Sequence, residues 1–170
     1  MWRIFRRKPR LPAERRPALD RDERVVAWAA VDRGDVVVAT NRGLFLPGRS
    51  RLGWHEIHKA TWSGRALSVL PAEVVAEEPG YAVVEDLPAV TYTLLEPGDV
   101  PHQVRARVTK SVAYTSHHPV PGGGLRVVAR RVSGVDGLWW TVRFDPGTDR
   151  DRPETSALVA AARLDVGPKP

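Results

Sequence analysis

The chain has 170 residues, with 26 lysines and arginines against 20 aspartates and glutamates, and no cysteine. That length makes one domain, or one domain with an addition, and buries about 70% of the surface an unfolded chain exposes, so no covalent staple is needed. The absence of cysteine excludes disulfides, cysteine-ligated zinc, iron–sulfur clusters and a thiol nucleophile together.

The net charge of +6 is unevenly placed. Residues 1–16 hold seven cations (Arg3, Arg6, Arg7, Lys8, Arg10, Arg15, Arg16) and one anion, Glu14, so the rest of the chain is formally neutral. The folded part therefore has no overall basic field. Residues 1–23, MWRIFRRKPRLPAERRPALDRDE, combine three prolines with dense charge and predict a tail without a packed element. Trp2, Ile4 and Phe5 lie among its cations, and Arg3, Arg6, Arg7, Lys8 and Arg10 are the expected contacts to an anionic surface. That surface is a membrane or RNA phosphates, and an arm so short binds only weakly. The longest apolar run, about Val25 to Val31, is far short of the roughly 20 residues a spanning helix requires. With no apolar region after the basic N-terminus, a secretory signal is not expected. The expected location is cytoplasmic, with the tail able to hold the protein at the membrane periphery.

The first predicted strand is Arg24 to Val31, with Trp28 in its middle, followed by a tight turn at Asp32-Arg33-Gly34-Asp35. Val36 to Asn41 and Leu44 to Pro47 read as strands joined at Asn41-Arg42-Gly43. After a loop at 47–51, Leu52 to Trp62 and Ala66 to Leu70 continue the series around a Ser63-Gly64-Arg65 turn. Pro71 to Gly80 is ambiguous. Tyr81 to Glu85 and Val90 to Leu95 are strands, and the second places Val90, Tyr92 and Leu94 on one face, toward the core.

The period then changes. Val100, Val104, Val108 and Val112 recur every fourth residue, which predicts one face of a helix. Asp99 stands at its N-cap and Pro101 in its first turn. Residues 115–124, TSHHPVPGGG, read as a loop by composition, with Gly122-Gly123-Gly124 as a flexible linker. Leu125 to Val132 and Leu138 to Phe144 make a hairpin in which Trp139 and Trp140 point to opposite faces. A short helix follows from Pro153 to Leu164. A lone hairpin is marginal in water, so this piece must pack on the barrel or extend its sheet.

Strands followed by one amphipathic helix, with the stretches VVVATNRGLFL, LGWHEIHKATW and ALSVL, resemble the pleckstrin-homology-like superfold. The likeness is to its bacterial and GRAM-like members, and to small actinobacterial proteins of that type. The resemblance implies an α+β, mainly β fold: a bent antiparallel barrel over residues 24–115 whose open end is plugged by the helix. Residues 116–170 form the hairpin-and-helix extension.

No residue is assigned a catalytic role. His55-Glu56-Ile57-His58 has the wrong spacing for a zincin, and in a strand the two histidines face opposite ways unless a bulge intervenes. Gly122-Gly123-Gly124 lacks the Lys-Ser or Lys-Thr of a phosphate loop, and no Gly-x-Ser-x-Gly elbow is present. No metal or cofactor is expected. Headgroup-binding relatives carry several cations on the first loop, whereas here it has two anions against Arg33, and the later loop offers only Arg49 and Arg51. The sequence reading is a non-enzymatic interaction module. It binds a protein or peptide partner through an exposed sheet edge or an outward indole, with Trp139, Trp140, Arg49 and Arg51 as contact candidates. The alternatives are a nucleic-acid or ribosome-associated factor, and a histidine- or metal-dependent enzyme.

Overall fold

The computed structural model describes residues 9–166. Its elements in chain order are β1 (Val25–Ala30), β2 (Val36–Thr40), β3 (Gly43–Phe45), β4 (Leu52–Gly53), β5 (Ile57–Ser63), β6 (Ala66–Glu78), β7 (Tyr81–Asp86), β8 (Val90–Thr93), α1 (Val100–Ser111), β9 (Val112–Val120), β10 (Gly123–Arg131), β11 (Leu138–Phe144) and α2 (Glu154–Val166). The described residues are thus mainly β with two α-helices. No helix among the described residues is long and apolar enough to cross a membrane.

β1 to β4 form one antiparallel sheet in sequence order. The second sheet runs β5-β6-β7-β11-β10-β9, and β8 also pairs with β6. The ambiguous stretch after Pro71 is the second half of β6, a strand of 13 residues. Its first half pairs with β5 and β8, and its second half with β7. Pro71 lies where the partners change, and its carbonyl still accepts the Leu87 N–H at 2.9 Å. Only one donor is lost there, so the strand survives the proline.

Two cores result. The first gathers Val37, Leu44, Trp54, Ile57, Leu67 and Leu94 from the curled strands around Val100, Val104 and Val108 of α1. The helix lies where the four-residue valine repeat predicts, and Val100 and Val104 are wholly buried. Leu94 is buried and Val90 and Tyr92 pack against the same cluster, as the alternation of that strand implies. Two details differ from expectation. Asp99 makes no side-chain cap bond; its Oδ2 accepts the Gln103 Nε2–H at 2.9 Å. Val112 belongs to β9, because the backbone turns extended there (φ −82°, ψ 115°) and pairs with β10.

The second core packs Leu125, Val127, Ala129, Trp140 and Val142 against Val159 and Ala162 of α2. Its strands β9 to β11 join β5 to β8 within the second sheet through a short parallel pairing of β11 with β7, Thr141 with Ala82 and Val142 with Val83. The hairpin therefore lengthens the existing sheet. The supposed loop at 115–124 is instead most of β9 and the start of β10, turning at Pro121-Gly122. β9 is an edge strand, which is why it tolerates Pro119. Gly123 and Gly124 are not linker residues. A Cβ on either would collide with the Thr148 side chain or with those of Asp145 and His117.

Residues 9–23 also differ from the expected tail. The Pro9 carbonyl accepts the Trp28 Nε1–H at 3.2 Å, and Arg15 pairs with Asp35 at 3.2 Å. Glu23 has a fully buried side chain that accepts from Thr40 Oγ1 at 2.6 Å and pairs with Arg51 at 2.6 Å. Composition reads charge density as solvation, whereas here Arg15, Asp20, Asp22 and Glu23 find opposite partners in the turns beside the first sheet.

Candidate functional site

Two concave features stand out. The first is a groove of about 480 Å³ along β1, walled by Pro9 on one side and by Leu95, Glu96, Gly98 and Asp99 on the other. β1 is the edge of its sheet, and its inner side pairs with β2. At one end the Ala30 carbonyl accepts the Leu95 N–H at 2.9 Å, on the outer edge. Alternate residues of an antiparallel strand turn both backbone groups to the same side, so Trp28 offers its N–H and C=O to the groove. Among the described residues no strand pairs with that edge from Val25 to Ala29.

The second feature is a polar cleft between β5 and the β10–β11 hairpin. Along β10 the residues alternate: Leu125, Val127 and Ala129 face α2, while Arg126, Val128 and Arg130 face the cleft. Trp139, Thr141 and Arg143 of β11 face the same way. Two adjoining chambers, of about 360 and 310 Å³, share His58, Val84, Arg130 and Thr141. The larger is lined by Arg126, Arg130, Arg143 and His58 and by no carboxylate.

Arg130 is 5% exposed. Its Nη1 donates to Ser111 Oγ at 2.9 Å, at the end of α1, and no carboxylate pairs with it among the described residues. Burial pushes its pKa below the ordinary arginine value. Asp86 lies beside the cleft, where it pairs with Arg143 and with His58 Nδ1 at 2.5 Å. Both His55 and His58 are held below the ordinary histidine value, chiefly by burial, and Arg130 depresses both further. Asp86 acts the other way on His58, and Glu56 on His55.

The sequence placed His55 and His58 on opposite faces. They share one chamber because Trp54–Glu56 forms a 3-10 turn and the β5 register shifts between Ile57 and Lys59. The contact candidates separate as well. Trp140 lies in the second core, 7% exposed and 5.8 Å from the Tyr114 ring. Trp139 is half-buried in the cleft, edge-on to His55 at 5.4 Å, so neither indole stands free on the surface. Arg51 is bound to Asp20 and Glu23, while Arg49 is exposed in its loop. Arg10 is exposed, and Arg3, Arg6, Arg7 and Lys8 lie outside the described residues. Arg126, Arg130 and Arg143 were not singled out from sequence. The signal available was an arginine at every fourth position of one strand, which ordinarily marks a solvated face.

The remaining chemistry-bearing pairs do not assemble. Ser116 Oγ meets His118 Nε2 at 2.8 Å, and His117 Nε2 meets Asp145 Oδ2 at 2.7 Å. These residues alternate along β9 and so lie on opposite faces of the sheet. Among the described residues no three His, Asp or Glu side chains are grouped for a metal. Neither a scan against protein-family models, nor a search of the curated proteins, nor a search of the solved structures finds a match to this chain.

Proposed function

We propose that the protein is a non-enzymatic binding module of the pleckstrin-homology-like kind, and that its partner is an extended peptide laid along the outer edge of β1. The observation that carries this reading is the groove itself, where the outer edge of β1, unpaired from Val25 to Ala29 among the described residues, lies between Pro9 and a wall of Leu95, Glu96, Gly98 and Asp99. An added strand gains main-chain hydrogen bonds from such an edge, and its alternate side chains fill the flanking pockets. Glu96 and Asp99 on one wall select basic residues at the positions that face them. The basic N-terminal stretch adds attraction to an anionic surface, membrane or RNA, in the same role as a juxtamembrane basic segment.

The test is a titration of the full chain, followed by amide NMR, with peptides of about six residues that alternate valine or isoleucine with lysine. Shifts confined to residues 25–30 and 94–96, weakened by Glu96→Lys, support the reading. Absence of saturable shifts there sinks it. Truncation of residues 1–8 serves the tail. It leaves the Pro9 and Arg15 contacts in place, and should abolish salt-sensitive binding to anionic vesicles or RNA without changing the peptide affinity.

A further inference from the structure

We propose that the cleft between β5 and the β10–β11 hairpin is a binding site for a small oxyanion-bearing molecule, a phosphate ester or a carboxylate, gripped by Arg130 with Arg126 and Arg143. The site is separate from the β1 groove and does not depend on it.

Arg130 supplies the first argument. A guanidinium has five N–H donors and no means of losing its charge. Arg130 is 5% exposed, yet among the described residues its side chain makes one hydrogen bond, to Ser111 Oγ. Its neighbour Arg131 turns to the end of α1 and the start of β9, where its Nη1 donates to Lys110 O at 2.9 Å and to Val112 O at 3.3 Å. None of the Arg130 nitrogens is sealed away without a partner, so the unused N–H groups open onto the cleft. A buried charge without a counter-ion is costly and is ordinarily paired.

The arrangement around Arg130 points the same way. Arg126 and Arg143 occupy directly facing positions of β10 and β11. Like charges set opposite each other across a strand pair are unfavourable. Arg130 faces Trp139 farther along the same hairpin. Asp86 pairs with Arg143; among the described residues Arg126 and Arg130 make no ion pair, and the nearest carboxylates on the Arg130 side are Glu56 and Glu73, which line the adjoining chamber. An oxyanion in the larger chamber meets guanidinium groups from two strands, and a guanidinium is the side chain suited to bidentate capture of such a group. The chamber's 360 Å³ matches a small-molecule site, and the Trp139 indole in the adjoining chamber offers an apolar wall for the rest of the ligand.

Thermal melts and calorimetric titrations of the full chain with inorganic phosphate, with citrate and with chloride at matched ionic strength test this. We expect one of the first two to raise the melting temperature saturably where chloride does not. The responding anion distinguishes a phosphate site from a carboxylate site. Arg126→Ala removes an exposed side chain and should keep the fold while lowering that affinity about tenfold or more. Arg130→Met should abolish the anion response and, without added anion, leave the melting temperature unchanged or higher. The proposal is overturned if neither anion exceeds chloride, or if Arg126→Ala and Arg130→Met leave the response intact. It is overturned equally if Arg130→Met lowers the melting temperature while wild type shows no anion response, which would make Arg130 a strut between β10 and α1.

Discussion

His55 and His58 face a cleft that already holds Arg130, and burial keeps both imidazoles neutral at a pH where free histidines begin to charge. Arg51 also opposes the charging of His55, and Arg143 that of His58, while Glu56 and Asp86 favour it. In the unfolded chain both titrate at the ordinary value of 6.5. Below that pH the unfolded state binds more protons than the folded one, so stability is fully present above it and declines as pH falls toward the lowered folded values. Urea midpoints should drop between about pH 7.5 and about pH 5.5, and the double change His55→Gln with His58→Gln should flatten that slope. A slope unaltered by the double change would assign it to other groups. Glu23 works at the same scale in the opposite direction. Its buried carboxylate joins β2, through Thr40, to Arg51 at the start of β4, and so converts a stretch that looks like a solvated tail into part of the first sheet's packing.

At the scale of elements, α1 carries the first core. Val100, Val104 and Val108 are buried in a cluster drawn from several strands, and fully burying one valine stabilises by about 1.5–3 kcal/mol. Val104→Asp loses that term and places a carboxylate where no partner exists. We expect it to lower the unfolding free energy by at least about 3 kcal/mol, read from the urea midpoint. Val104→Ala, which loses only volume, should cost less. Equal midpoints for Val104→Asp and wild type would mean that α1 is not docked in solution. The helix stops at Ser111 without a glycine. Val112, Ala113 and Tyr114 continue directly into β9, and the arginine at 131 takes the last carbonyls from across the sheet. Strand pairing, rather than a local breaker, sets that boundary.

Across the whole molecule, β6 is the hinge of the architecture, because its two halves serve two different sets of partners. The first core closes around α1, and the second closes under α2 through Val159 and Ala162. Deleting residues 153–170 should therefore uncover Leu125, Val127, Trp140 and Val142 while leaving the first core closed. Hydrogen exchange should speed up in β9 to β11 and stay slow in β1 to β3. Uniform loss of protection would show that the two cores fold as one cooperative unit. The polar cleft exists only because of this arrangement, since its walls come from β5 on one side of β6 and from β10 and β11 on the other.

Periodicity, β-branched content and turn residues determined most of the strands, the valine face of α1, and the hairpin with its opposed indoles. These follow from the angle at which successive side chains leave a strand or a helix, which is a local property. Pro71, Pro119 and the glycines at 123 and 124 misled the reading because composition says nothing about which strand edge is unpaired or which neighbour fills the space. The same limit hid the candidate site. Alternation shows that Arg126 and Arg130 share a face, but whether that face meets water or another part of the same curled sheet is decided by contacts between segments distant in the chain, His58 with Asp86 and Val142 with Val83. Only the tertiary structure brought the three arginines and two histidines into one enclosure, because enclosure is a property of two surfaces and a strand's sequence describes only its own.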